Sequence, residues 1–172
     1  MPEARNSYLE AVAGYLPERV IENRELEESL GLDQGWIAEK TGIERRHIAA
    51  DDECVSDLAA AAARRALDTA GLDTGDVDML IVSSSMGDMF FPSTACIVQD
   101  KLGARCPAFD VSNACSGFIY ALRTADALVA TGAAGRVLVA AAETMSRMID
   151  WSDYRTCILF GDGAGACVVS AG

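Results

Sequence analysis

Asp110-Val111-Ser112-Asn113-Ala114-Cys115-Ser116-Gly117-Phe118 is the stretch on which the reading of this chain turns. The apolar residues leading into it (Ala108, Phe109, Val111) predict a buried strand. The apolar segment from Phe118 to Val129 is long enough for a helix. Cys115 falls at the junction, where the first backbone N–H groups of a helix lack intrahelical partners. The partial positive charge of that end favours an anion such as a thiolate. Ala114, Ser116 and Gly117 are small and leave room for a substrate to reach the sulfur. Free cysteine more often packs as an inert small hydrophobe, and this chain has six. Cys115 is set apart by position: it alone follows a strand, opens a helix and has glycine two residues on. It is the candidate nucleophile.

Working outward, the alternation of elements sets the fold class. Tyr8 to Tyr15 reads as a first strand. Asn23 and Asp33 are the expected N-caps of two short helices closed by Gly31 and Gly42. The run Glu44-Arg45-Arg46-His47 is expected on an exposed loop or edge. Ser56 is expected to begin a helix with Leu58, Ala62, Ala66 and Ala70 on one face and Gly71 at its end. Met79-Leu80-Ile81-Val82 is a short continuous apolar run, typical of a strand covered on both faces. Thr94 to Leu102 predicts a helix stopped by Gly103. The helix after Cys115 ends near Gly132, and Arg136 to Ala142 and Ala166 to Ser170 are the last strands. Glu143 to Tyr154 is irregular or partly helical. Strands alternating with helices predict an α/β fold with a mostly parallel five-stranded sheet and helices on both faces. No helix precedes the final strand, so it is expected to run antiparallel to the rest.

Composition narrows the function. At 172 residues the chain reads as one domain with a sizeable core, without linker, low-complexity tract or internal repeat. A net charge of −12 argues against nucleic acid, and no apolar run reaches the length of a membrane span. Met1-Pro2-Glu3-Ala4-Arg5 has no signal-peptide pattern. The cysteines are widely spaced with no C-x-x-C pair, so a zinc site is not expected, and reduced thiols in a cytoplasmic protein are the simplest account. Gly161-Asp162-Gly163-Ala164-Gly165 is not a dinucleotide loop, because a β-rich run and not a helix follows it; a tight turn between strands near Cys115 is expected instead.

Several motifs in fixed order resemble the β-ketoacyl-acyl carrier protein synthase III family of the thiolase superfamily. They are Tyr15-Leu16-Pro17-Glu18, Trp36-Ile37, Thr41-Gly42-Ile43, Arg46-His47-Ile48-Ala49-Ala50, Phe91-Pro92-Ser93, Cys106 to Val111, the Cys115 segment, and Leu159 to Ala166. The resemblance runs from about residue 8 to the end. It implies one half of a thiolase-like fold, residues 1–172 being the N-terminal half with the C-terminal half absent. It also implies a reaction. An acyl group passes from acyl-CoA to Cys115, malonyl-acyl carrier protein loses carbon dioxide, and the resulting carbanion attacks the thioester. CoA thioester is substrate, with no metal and no redox cofactor. Acyl carrier protein is the implied partner, in a homodimer.

By the same resemblance, the catalytic histidine and asparagine belong to the second half. His47, the single histidine, is expected to be structural or on the surface. Trp36, Lys40, Thr41, Tyr154 and Arg155 are the candidate CoA contacts. A core tryptophan at 36 remains equally open from the residue alone. Lys40 and Tyr154 stand where the family often has arginine. Lysine keeps the charge but not the bidentate fork, which leaves a different acyl donor open. Phe91 matches a residue that crosses the family's dimer interface and walls the partner's acyl pocket; an ordinary buried phenylalanine is the alternative. Asn113, Gly161 and Gly163 are the expected turn residues around the nucleophile. The rival readings are a related CoA-dependent synthase with another acceptor, and a non-catalytic half-domain for dimerisation or partner binding.

Overall fold

The computed structural model describes residues 6–172; the five N-terminal residues, and with them the absence of a signal-peptide pattern, lie outside the described part. In chain order the elements are β1 (Ser7–Tyr15), β2 (Arg19–Glu22), α1 (Asn23–Leu30), α2 (Trp36–Thr41), β3 (Arg45–Ile48), α3 (Val55–Ala70), β4 (Met79–Ser83), α4 (Thr94–Leu102), β5 (Ala108–Val111), α5 (Gly117–Ala130), β6 (Arg136–Thr144), α6 (Tyr154–Cys157) and β7 (Asp162–Ala171). Short 3₁₀ turns occupy Thr74–Asp76, Ala114–Ser116 and Met145–Arg147. No helix is long and apolar enough to cross a membrane among the described residues. The contacts of the chain group into two compact units.

The first unit comprises residues 6–15, 54–143 and 164–172. Its five-stranded sheet has the order β1-β7-β6-β4-β5. β4 is parallel to both β5 and β6, and β7 is antiparallel to β1. The Ala171 N–H, at the end of β7, donates to the Gly135 carbonyl just before β6, so β7 opposes β6 as well. The expected antiparallel last strand is therefore present. Leu80, Ile81 and Val82 are all fully buried although consecutive side chains point to opposite faces, so the sheet is covered on both. Ala121, Ala125 and Val129 of α5 pack with Ile81, Val137, Val139, Cys167 and Val169 on one face. α3 and α4 pack against each other and against β1, β4 and β5. The small face of α3, with Ala59, Ala62, Ala63 and Ala66 wholly buried, permits close helix–sheet approach.

β5 departs from expectation. It is an edge strand with Phe109 and Asp110 exposed, not a buried one. Four residues of mixed apolar character do not distinguish an edge from a centre. Asp110 uses that position: its carboxylate accepts the Thr94 and Ala95 N–H groups at 2.8 and 2.6 Å, and Ser93 caps the same helix start from its own side chain. α3 begins one residue before Ser56, with Cys54 as its N-cap.

The second unit comprises Leu16–Glu53 and Thr144–Gly163. β2 and β3 form an antiparallel pair, and Leu26, Ile37, Cys157 and Ile158 form a small core with Trp36 and Trp151 against it. Neither expected cap holds. Glu22 is the N-cap of α1 in a capping box with Glu25, and Asn23 is the first helical residue. Gly35, not Asp33, is the N-cap of α2. The α2 start is satisfied from elsewhere: buried Glu27 accepts the Gly35 and Ile37 N–H groups, each at 3.0 Å. Asn23 is used tertiarily instead, donating to the Ile43 carbonyl and accepting from Arg46. Arg46 is correspondingly buried in β3, against the expectation of an exposed charged run.

Burial pushes the Cys167 thiol up to about 11 from an ordinary 9.0. The native state then keeps a proton that the unfolded chain releases, so the stability this group supplies is complete below pH 9.0 and is lost as pH rises toward about 11. Equilibrium urea unfolding should show the midpoint declining across that interval. The decline should be shallower in Cys167→Ala, where this linkage is gone.

Candidate active site

Cys115 lies on the 3₁₀ turn Ala114–Ser116, between the end of β5 and the start of α5, and it is exposed. Asn113 shapes the turn. Its side chain donates to Ser116 Oγ at 2.9 Å, and its carbonyl accepts from the Ser116 hydroxyl and backbone N–H. Ala114 has φ +46°, the sole positive φ of a non-glycine residue among those described. An L-residue there costs about 1–2 kcal/mol, so the turn is held under strain with its flanks fixed by sheet and helix. Gly117 starts α5 against β4: a Cβ at this position would meet Ser83 Oγ at 2.3 Å and the Val111 carbonyl at 3.5 Å. Close seating of the first helical turn therefore requires glycine. Cys115 is thus exposed where the turn gives way to α5, a placement that leaves the thiol open to a thioester carbonyl.

In the same unit, the segment after β4 lines a cavity of about 550 Å³ with Ser84, Met86, Met89, Phe90, Thr94 and Ser112 among its walls. Glu143 ties this segment down, accepting the Ser85 N–H and hydroxyl at 2.6 and 2.8 Å. Phe91 is 87% exposed, so it is not the ordinary buried phenylalanine that the sequence left open.

The second unit gathers the candidate CoA contacts. Trp36 starts α2 and Tyr154 starts α6, and their rings meet edge to face with centroids 5.8 Å apart and planes at 79°. The two cations of the set are engaged. Lys40 pairs with Glu39 at 2.6 Å, and the Arg155 guanidinium forks onto Asp153 through Nε at 2.9 Å and Nη2 at 3.1 Å. The Thr41 hydroxyl is spent on its own helix end, donating to the Ile37 carbonyl and accepting from the Ile43 N–H.

The expected tight glycine turn is not formed as such. Gly163 and Gly165 lie inside β7, and Gly165 pairs with Gly14 of β1. Glycine-rich composition signalled a turn, whereas at Gly161 the need is close packing. At Gly161 a Cβ would stand 3.0 Å from Arg46 Cβ and 3.1 Å from the His47 carbonyl. His47 is structural here, its Nδ1 donating to the Pro17 carbonyl at 2.6 Å. Sequence reasoning passed over Asp162, which is buried and accepts from the Ala49 N–H and from the Ser146 N–H and hydroxyl. Its placement between two glycines, where no bulky neighbour competes for space, was the available signal. Ala114 and Glu143 carried none.

The sequence pattern of the family described as 3-oxoacyl-[acyl-carrier-protein (ACP)] synthase III matches residues 109–172, which include Cys115. Beta-ketoacyl-[acyl-carrier-protein] synthase III of Neisseria meningitidis serogroup C is 54% identical over 165 residues, covering 95% of this chain and 52% of the relative. Among solved structures, 3-oxoacyl-[acyl-carrier-protein] synthase III from Aquifex aeolicus superposes with a TM-score of 0.91 at 44% identity, covering 95% of this chain and 53% of that one. The priming beta-ketosynthase from the R1128 polyketide biosynthetic pathway gives 0.95 at 39% identity, covering 100% and 52%. The chain thus spans about half the length of the curated relatives it matches.

Gly117→Ala should lower stability by about 1–3 kcal/mol, the usual cost of overpacking a tight contact. The double variant Ser83→Ala/Gly117→Ala should recover most of it, because the oxygen at 2.3 Å is then gone. Urea midpoints of the three proteins measure this.

Proposed function

Because this chain belongs to the 3-oxoacyl-[acyl-carrier-protein] synthase III family, we propose that it is the N-terminal half of a decarboxylating condensing enzyme that initiates fatty-acid or related polyketide synthesis. The observation that carries the proposal is the exposed Cys115 on a strained turn at the start of α5. A non-catalytic half-domain has no use for strain at that position, and strain of this kind is retained where it positions a reacting group.

In this reading the Cys115 thiolate attacks the carbonyl of acyl-CoA and expels CoA as a thiolate, which takes up the proton released by Cys115. Malonyl-acyl carrier protein then binds, and cleavage of its carboxyl C–C bond releases carbon dioxide and leaves an electron pair on carbon. That carbon attacks the acyl thioester, and the Cys115 thiolate leaves, giving a β-ketoacyl carrier protein. The backbone N–H of Cys115 supplies part of the oxyanion site in both acyl-transfer steps. The histidine and asparagine that assist decarboxylation come from the rest of the polypeptide. Exposed Ile119 and Tyr120 on α5 and Val12 on β1 support further polypeptide packing there. Trp36, Tyr154, Lys40, Thr41 and Arg155 face the acyl donor, Phe91 serves a homodimer contact beside the acyl pocket, and Gly161 keeps the approach to β7 compact. The enzyme works in the cytoplasm.

Mass spectrometry after incubating the full-length polypeptide with acyl-CoA tests this. The expected result is a single acyl adduct on Cys115 that is absent from Cys115→Ala. An unmodified protein, or an adduct that survives the substitution, overturns the proposal.

A further inference from the structure

β4 leaves the sheet through consecutive serines, Ser83, Ser84 and Ser85. Ser83 is the last strand residue and is buried, with its Oγ facing the start of α5 at Gly117. The next two serines are taken by Glu143. β6 runs on to Thr144 while β4 stops at Ser83, which pairs with Ala141 in the parallel register. Two residues further along that register, Ser85 comes level with Glu143, and the carboxylate takes the place of the ladder. One of its oxygens accepts the Ser85 N–H at 2.6 Å and the Ser85 hydroxyl at 2.8 Å. The other accepts from the Ser84 hydroxyl at 3.3 Å. Ser84 Oγ in turn accepts the Met86 N–H at 3.2 Å, so the hold extends to residue 86. Hydrogen bonds to an ionised acceptor are the stronger kind, which suits a carboxylate to fixing a segment that has left its strand.

Carboxylates fix the rest of the segment as well. Asp88 accepts the Ser56 N–H at 3.0 Å at the start of α3, and Asp110 accepts the Thr94 and Ala95 N–H groups where the segment enters α4. Between these anchors Met86, Met89 and Phe90 are exposed and wall the cavity of about 550 Å³, which Ser112 borders from the side of the Cys115 turn. Methionine side chains adapt readily to what they touch, so the backbone that carries them sets where this wall stands. Glu143 fixes that backbone at its entry, beside the strand end that abuts Gly117.

We propose that Glu143 is a positioning residue for acyl transfer: through Ser84 and Ser85 it fixes the wall of Met86, Met89 and Phe90, and so sets which acyl chains reach the Cys115 thiol. The proposal rests on the acyl-transfer reading above. The carboxylate takes no part in the chemistry; it preorganises an apolar surface. A fixed wall discriminates between chain lengths, whereas a loosened one moulds to each.

The test reads kcat/KM for formation of the Cys115 thioester in the full-length polypeptide from acetyl-CoA and octanoyl-CoA. The native protein should separate the two by about tenfold or more, the discrimination that a shaped apolar pocket gives for added methylenes. Glu143→Ala should bring the ratio to within about threefold of one, as that discrimination is lost. A general loss of stability would slow both donors alike and leave the ratio in place. Glu143→Gln keeps an acceptor for the Ser85 N–H and should restore most of the native ratio. Ser85→Ala, at an exposed position, keeps the N–H bond to Glu143 and should fall between the native protein and Glu143→Ala. Combined with Glu143→Ala it should change nothing further, since the two act through one contact. A native ratio near one, or a ratio that persists or widens in Glu143→Ala, overturns the proposal while leaving acyl transfer to Cys115 intact. If Glu143→Ala does not fold, Ser85→Ala carries the test, and a native ratio in that variant overturns the proposal. Absence of a thioester with both donors in the native protein overturns both readings.

Discussion

The approach of Gly117 to Ser83 is the contact on which the remainder of the first unit depends. α5 can begin where it does because nothing projects from residue 117 toward β4. That single absence of a side chain lets Ala121, Ala125 and Val129 reach Ile81, Val137 and Val139 across the sheet. It also fixes the distance the chain must cover between the end of β5 and the helix. Three residues, Ser112 to Ala114, precede Cys115 after the last strand residue, and the span is made with Ala114 at a positive φ. Packing in the core and strain at the turn are thus two expressions of one geometric requirement. The cysteine is presented because the helix below it is pulled in.

How much of this was legible in the residues depended on the kind of signal. α4 was read with its bounds intact, since Ser93, Thr94 and Gly103 supply local start and stop chemistry. β4 was equally plain as a continuous apolar run. The antiparallel β7 followed from the lack of a helix before it. Failures occurred where a residue serves a partner distant in sequence. Asn23 has the composition of an N-cap, yet its side chain bridges Ile43 and Arg46. Arg46 sits in a charged run that reads as solvated, yet it donates to the Ile158 carbonyl 112 residues away and is buried. Phe109 reads as core, yet β5 is an edge. No local pattern encodes such long-range obligations, because propensity reports only what the neighbouring few residues favour.

The candidate site divides in the same way. Cys115 was found because a nucleophile at a strand–helix junction leaves a local trace. The aromatic pair was only half legible. Trp36 and Tyr154 could be named one at a time, but their edge-to-face meeting joins residues from separate segments of the second unit. The ion pairs at Lys40 and Arg155 involve adjacent or nearly adjacent acids.

Glu27 reaches from α1 to hold the Gly35 and Ile37 N–H groups. A helix of six residues does not persist in water unaided, so α2 depends on the carboxylate that α1 supplies. The orientation of the Trp36 indole accordingly depends on the helical pair as well as on the small core and the Tyr154 ring that it meets. Any molecule that stacks on that indole selects chains in which the pair is assembled, and so shares its free energy with the folding of α1 and α2. Occupancy by a small molecule and local thermal resistance of this segment are, in that sense, one equilibrium observed from two ends.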